Sequence, residues 1–386
     1  MQGNARVQSR KVTSTNRYVN SNVSGFGVRS TKGRWILFEL DKDRDVSGGI
    51  PVSREYMVAQ RPTESGFRDA CNVWLENADG SLGLRFGVEA VSDEWESHEI
   101  WLDVAFKDGV VWSARSAGAP LSVFGKDDVA SVRGAAGIRF ECLEPFKTWL
   151  VSVDLEADRL TTEQLCADCV PDTTVQDRLR CELVLEMVAP PWIPGSLDAK
   201  AKARLAGEDG NFMSPRYEQL CLGQGSLQVH DRIVALQGNG LRIRRSGGRA
   251  FQGFQGHCWQ SAIFPDGTAF GCNSYPPKAG ETDAFSEAYI FRVGDSALTA
   301  ARVVQTPWMR QLVTHGDDVS LILETDKERF EVVGRTFVNT RSRRHKILPP
   351  GFPIVEQAHA HYEWSGMTTV GMVERSSFPE LIANLR

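Results

Sequence analysis

The sequence predicts an all-β protein of antiparallel sandwiches or barrels, and three observations predict it. Short segments rich in aromatic and β-branched residues, many alternating apolar with polar, recur along the chain: GRWILFEL (33–40), SLGLRFGVEAV (81–91), HEIWLDVAF (98–106), IRFECLEP (138–145), TWLVSVDLEA (148–157), CELVLEMVA (181–189), GSLQVHDRIVALQG (225–238), EAYIFRV (287–293), VSLILETD (319–326) and FEVVGRT (330–336). Between them fall turn signals: Asn77-Ala78-Asp79-Gly80, Lys107-Asp108-Gly109, Pro265-Asp266-Gly267 and His315-Gly316-Asp317-Asp318. Helical periodicity is scarce. The exception is SLDAKAKARL (196–205), which opens on a capping-type serine and is rich in alanine. Strands this short and numerous close their edges in sandwiches or barrels, and a barrel can hold a small ligand.

At 386 residues, 41% of them apolar, the chain suits two domains of ordinary size or one large β architecture. The strand pattern breaks at 189–216, where prolines precede small and charged residues, and the boundary is set there: residues 1–195 form one β unit and 196–386 the second. Forty-four Lys and Arg against 49 Asp and Glu leave a net charge of -5, the opposite of the basic field that binds nucleic acid or an anionic membrane. The start, MQGNARVQSRKVTSTNR, lacks the apolar core of a signal peptide, and no window reaches the roughly 18 uninterrupted apolar residues of a membrane helix. The expectation is a cytoplasmic protein with no integral membrane segment. Its 8 cysteines mostly sit in apolar runs, as small hydrophobes do in a reducing compartment. Cys166 and Cys169 in LCADCV have metal or redox spacing, but no second pair follows, and a loop with two partly buried thiols is the plainer reading.

Five runs carry a family resemblance: IRFECLEPFKTWLVSVD (138–154), CELVLEMVAPPW (181–192), RYEQLCLGQGSLQV (216–229), GHCWQSAIFPDGTAFG (256–271) and EQAHAHYEWSGMTTVGMVERS (356–376). In order and spacing they resemble the markers of the superfamily of carotenoid 1,2-hydratases and AttH-like proteins. The resemblance implies two lipocalin-like β-barrels packed together, with a hydrophobic ligand site in or between them. It also implies water addition, isomerisation or cyclisation of isoprenoid or polyketide-like substrates without an organic cofactor. Relatives commonly carry Arg-Asp-Arg-Ser-Trp-Gly ahead of the Gly-His motif; in this chain Ile243 to Gly248 keep Arg245, Ser246 and Gly248, while the acidic position is Arg244 and the tryptophan position Gly247.

Alternation in GFQGHCWQSAIF puts His257, Trp259 and Ser261 on one face and Cys258, Gln260 and Ala262 on the other. If the first face lines a barrel, an imidazole that moves protons near neutrality shares a cavity with an indole that walls it and faces a developing cation. A satisfied core histidine beside a space-filling tryptophan is the bland alternative. Arg242, Arg244, Arg245 and Arg249 are able to grip a planar anion, although solvated arginines on an exposed strand explain most of them; Arg245 is singled out by the family position.

Near the end, EQAHAHYEW sets His359, His361 and Glu363 on one face, a pattern suited to a metal or simply to solvent. Glu356, Ala358, Ala360, Tyr362 and Trp364 take the other. An inward Glu356 among aromatics is a candidate acid, or a structural carboxylate if an arginine such as Arg375 or Arg245 holds it. In VSDEWESHEIWLDV, His98 between acids reads as a solvated strand edge, and Trp74, Trp95, Trp101 and Trp112 as core or cavity wall. No metal or cofactor is expected.

The favoured function is a lyase or isomerase acting on an unsaturated hydrophobic small molecule. His257, Glu356 and Arg245 are its candidate catalytic residues, and Trp259, Tyr217, Tyr362, Trp364 and Ser261 line the substrate. A non-catalytic lipocalin-like carrier is the alternative, and a homodimer is compatible with either. A cavity that gathers titratable groups favours the enzyme, a uniformly apolar one the carrier.

Overall fold

The computed structural model describes residues 38, 40–41, 43–205, 215–249, 251, 254–277, 285–343 and 350–385. Of the expected strands, GRWILFEL lies largely outside these residues. Eighteen strands are named in chain order: β1 (Phe67–Asn77), β2 (Leu82–Val91), β3 (His98–Phe106), β4 (Val110–Gly118), β5 (Val132–Ala135), β6 (Ile138–Glu144), β7 (Thr148–Thr161), β8 (Val175–Met187), β9 (Arg216–Val229), β10 (Arg232–Gly248), β11 (His257–Ile263), β12 (Ala269–Tyr275), β13 (Phe285–Phe291), β14 (Thr299–Gln305), β15 (Leu321–Glu324), β16 (Arg329–Arg341), β17 (Ile354–Trp364) and β18 (Met367–Ser377). The turn glycines do what the sequence asks of them: Gly80, Gly109 and Gly267 all hold positive φ between paired strands.

The first ten strands form one antiparallel sheet in the order β4-β3-β2-β1-β10-β9-β8-β7-β6-β5. A further pairing of Val110–Ser113 with Asp158–Thr161 joins β4 to β7, so the sheet rolls up on itself, with the β5–β6 hairpin extending it. Its inner face is apolar, with Phe86, Leu102, Trp112, Phe140, Trp149 and Leu183 fully buried. Strands β11 to β18 close a second barrel, packed inside by Phe264, Phe270, Ile290, Leu323, Phe330 and Tyr362. The all-β architecture of two antiparallel barrels packed together is therefore what the chain adopts.

The change from one barrel to the other does not fall at 195/196. Strands β9 and β10 pair with β8 and β1, so the first sheet runs to Gly248 and the second begins at His257. The proline-rich stretch connects two neighbouring strands of one sheet. Prolines end β8 because they lack the ladder donor, but nothing in them redirects the next strand. This connection is instead pinned to the second barrel by Glu287 of β13, whose carboxylate accepts from Trp192 Nε1 (2.8 Å) and from the backbone N–H groups of Gly195, Leu197 and Asp198. A short helix (Ala199–Leu205) follows it where helical periodicity was expected, but Asp198 rather than Ser196 caps it, accepting from Lys200 N and Ala201 N.

Two smaller expectations change. His98 is no solvated edge residue: β3 is flanked by β2 and β4, His98 is buried, and burial, with the Arg133 charge nearby, pushes its imidazole down to about 4. Cys166 and Cys169 occupy different environments, the first buried at the end of a five-residue helix (Thr162–Cys166) against Asn339, the second exposed. No helix among the described residues is long and apolar enough to cross a membrane.

Candidate functional site

The two barrels meet where β1 and β10 of the first pack on β11 and β18 of the second, through Trp74, Leu241 and Ile243 on one side and Trp259, Ile263 and Met372 on the other. Beside this apolar seam lies a cavity of about 110 Å³. The first barrel lines it with Arg85, Glu89, Trp101, Arg216, Arg245 and Arg249, the second with His257, Trp259, Gln357 and Glu374, and Phe251, Phe254 and Phe352 contribute apolar wall. The space exists in part because β2 is bare at Gly87: a Cβ there would stand 2.0 Å from Trp101 Cζ2, so only glycine lets that indole lie across the strand.

Strand register brings the second barrel's groups together. His257 lies opposite Ser376, Trp259 opposite Glu374, and Gln357 opposite Glu374 on its other side. His257 Nδ1 is 2.6 Å from Ser376 Oγ, which also accepts the His257 backbone N–H at 3.0 Å, and Nε2 is 3.2 Å from Glu374 Oε1. The Ser376 hydroxyl and the Glu374 carboxylate thus hold the ring by both of its nitrogens. Burial alone would lift the Glu374 carboxyl, but the Arg85 charge 3.7 Å away, His257 and the Gln357 amide at 3.2 Å hold it at about 2. Glu374 is therefore an ionised partner that orients His257.

Trp259 has its indole N–H donated to Glu218 at 2.9 Å and its ring edge-on to Trp74. The Arg216 guanidinium stands 5.1 Å from the ring centroid, so a resident cation already faces the indole that was expected to face a developing one. Arg245 is buried, directly across the ladder from Arg216. Burial first, then the Arg249 and Arg216 charges, push its guanidinium well below the usual arginine range. Arg249 is pushed down to about 10 by burial, with Glu89 opposing and Arg216 and Arg68 adding to the shift.

Of the residues chosen from sequence, the structure gathers Arg245, His257 and Trp259 at the cavity. The face that holds His257 and Trp259 is the outside of the second barrel, covered by the first, and not a barrel interior; Ser261 shares it, buried, but does not line the cavity. Glu356 does not join them. It lies inside the second barrel, where Arg375 Nε donates to it at 2.7 Å and Asn339 at 2.8 Å, while burial lifts its carboxyl against the Arg375 charge. Tyr362 is also inside, donating to Gln260 at 2.6 Å, and Trp364 packs against Phe264 and Phe330. Tyr217 belongs to the first barrel, where its hydroxyl donates to Glu55.

The arginine cluster splits by alternation and is not solvated: Arg242 pairs with Glu55 at 2.8 Å and Arg244 with Asp69 at 2.5 Å, away from the cavity. His359, the first of the three residues weighed for metal, is buried and bonded through Nδ1 to Glu76 at 2.8 Å, whereas His361 and Glu363 reach solvent. Glu374, Arg85 and Arg216 were missed, whereas Trp101, read as core or cavity wall, is cavity wall. Glu374 stands in a quoted run, but its role depends on β11 pairing with β18, residues more than a hundred positions apart, which alternation within one strand does not reveal.

A family model described as Domain of unknown function (DUF7064) matches residues 68–379, from β1 to just past β18. The chain belongs to that family. The DUF7064 match takes in both barrels and hence both walls of the cleft. No curated protein sequence matches the chain. Among solved structures, a protein described as an AttH from Nitrosomonas europaea is similar, at 12% identity over 81% of this chain and 93% of that one with a TM-score of 0.48. CghA follows at 10% identity, covering 82% and 89%, with a TM-score of 0.47. Kievitone hydratase from Nectria haematococca shows 7% identity, covering 84% and 94%, with a TM-score of 0.44. The first bears a name that the sequence markers also resemble; likenesses of this depth carry no chemistry across to the DUF7064 chain.

Proposed function

We propose that the protein is a cofactor-independent lyase or isomerase whose reaction takes place in the cleft between the barrels, on an unsaturated hydrophobic small molecule. The observation that carries this reading is the pairing of His257 with an ionised Glu374 in a cavity walled in part by tryptophan, phenylalanine and arginine. Nδ1 is engaged by Ser376, which does not line the cavity, so Nε2 is the nitrogen that exchanges protons with a substrate. As imidazolium, His257 gives its Nε2 proton to one carbon of a double bond. In a hydration, water then forms a C–O bond at the neighbouring carbon and returns its surplus proton to Nε2; in an isomerisation, a different C–H proton returns instead. In either case the imidazolium is regenerated. The aromatic walls exclude bulk water, and Arg245 and Arg85 fix a polar end. A cavity of about 110 Å³ is smaller than the roughly 150 Å³ that takes a benzene, so it receives the reacting end of a substrate rather than the whole of it.

Native mass spectrometry of the protein purified from its own host, followed by extraction and identification of what comes off, tests this. An unsaturated compound recovered with a second species differing by water or by isomerisation supports the enzyme and identifies its substrate class. A single compound that the protein leaves unchanged on incubation overturns it in favour of a carrier.

A further inference from the structure

Two amide side chains in the cleft carry carbonyl oxygens that the protein does not match. Asn72 on β1 and Gln357 on β17 line the cavity from the two barrels, 9% and 3% exposed. Among the described residues, no donor reaches Asn72 Oδ1 or Gln357 Oε1. Register explains why. Asn72 lies between Gly87 of β2 and Ile243 of β10, and neither has a side-chain donor to give. Gln357 lies between Thr340 and Glu374, and the Thr340 hydroxyl donates to the Gln357 backbone carbonyl at 3.1 Å rather than to its side chain. The Gln357 amide is also fixed in orientation. Its Nε2 donates to Glu374 Oε2 at 3.2 Å, and an ionised Glu374 only accepts, so the nitrogen end must face the carboxylate and the oxygen end is an acceptor. A buried carbonyl without a donor is costly, and methionine or leucine would fill these positions without that cost. A ligand that brings a donor gives a reason for both amides.

We infer that the substrate class of this cleft is an unsaturated alcohol, whose hydroxyl donates to Gln357 Oε1, with Asn72 as a second polar contact from the other barrel. This rests on the cleft being the reaction site. An ionised carboxylate has no proton to give a carbonyl, and a hydrocarbon offers no donor either. An ammonium would need a carboxylate beside it, but Glu374 already serves Arg85, His257 and Gln357, and Glu89 bonds Arg68. A neutral hydroxyl both gives a proton and accepts one, and it is small enough for a cavity of about 110 Å³. The contact also relates the hydroxyl to the proposed chemistry. Gln357 and His257 share one carboxylate, Gln357 through Glu374 Oε2 and His257 through Oε1, so a hydroxyl held by Gln357 is tied through Glu374 to the imidazole that transfers the proton.

But-2-en-1-ol and trans-pent-2-ene, in which a methyl group replaces the hydroxyl, separate the hydrogen bond from the fit. Titration followed by ligand-detected NMR should show the alcohol binding about fivefold or more tighter than the alkene, the scale of one buried hydrogen bond. Gln357→Met should erase that preference by weakening the alcohol and not the alkene. Asn72→Leu should reduce it in the same way, and carries the test if Gln357→Met folds poorly. Alkene binding as tight as that of the alcohol, no binding of either, or a preference that survives both substitutions overturns the inference. The ligand-free melting temperature gives an independent check: Asn72→Leu removes an unmatched amide and should melt at or above the wild-type temperature, whereas a large fall would make Asn72 a structural partner and refute its role toward a ligand. The substrate class and the reaction fail separately. A hydroxyl-free compound from the host that the protein turns over would refute the alcohol class and spare the reaction, while alcohol-selective binding by a protein that turns nothing over would uphold the class and refute the reaction.

Discussion

Glu356 and Glu374 make the most instructive comparison in the molecule. They sit on adjacent strands one register step apart, Glu356 opposite Arg375 and Glu374 opposite Gln357, and both are withdrawn from solvent. Glu356 and Arg375 turn inward, where Arg375 also reaches Asp317 and the surrounding barrel is packed with aromatic and aliphatic side chains. Glu374 turns outward into the cleft, where its partners include an imidazole and where a cavity remains. The inner set pairs two carboxylates with one guanidinium, with Asn339 donating as well. The outer set has space beside it. Burial of ionisable groups is common to both, so burial alone does not mark a functional site; ionisable groups beside open volume do.

That contrast can be broken in the inner set first, where the effect should be largest. Arg375→Met leaves Glu356 and Asp317 buried without their cation and should cost about 3–5 kcal/mol in urea unfolding, as removal of one member of a buried pair does. A loss near zero would show that the inner set is not the structural one.

Acid titration of stability sharpens the outer set. The folded carboxyl of Glu374 lies at about 2, below its unfolded value, so its contribution is fully present above about pH 4.5 and is lost as pH falls toward 2. Glu374→Gln should therefore remove on the order of 3 kcal/mol of the acid-side change in unfolding free energy across that window. An unchanged acid limb would mean that Arg85 and His257 do not hold the carboxylate as described.

Gly87→Ala is the smallest perturbation. The new methyl must displace Trp101, at a cost of about 1–3 kcal/mol in stability measured by urea unfolding. Unaltered stability would show that Trp101 does not depend on the bare backbone at Gly87.

Much of this architecture was legible in the chain. β-branched and aromatic runs separated by Asn-Ala-Asp-Gly and Pro-Asp-Gly turns announce antiparallel strands because each segment buries one face and each turn needs a positive φ. Period-two alternation also sorted the side chains of β11 and β17 correctly, His257 with Trp259 and Glu356 with Tyr362. It could not say which face of a strand meets an open space. The inside of the second barrel, the obvious place for a cavity, is packed, and the useful face is the one covered by the other barrel. The boundary at 195/196 failed for a related reason. Prolines report that a strand ends, whereas the sheet to which the next strand returns is decided by pairing between distant segments, in this chain β9 with β8 and β10 with β1. Arg245 was chosen by its family position, and it reaches the cavity from the barrel opposite His257.

The central claim is that chemistry belongs to the cleft and not to the barrel interior. Turnover of the compound recovered from the host protein, measured for His257→Ala and for Tyr362→Phe against the wild type, tests it most directly. We expect a loss of about 10²- to 10⁴-fold in kcat for His257→Ala, the usual weight of a positioned acid–base group, and near wild-type rates for Tyr362→Phe. Normal turnover by His257→Ala, or a collapse confined to Tyr362→Phe, would contradict it.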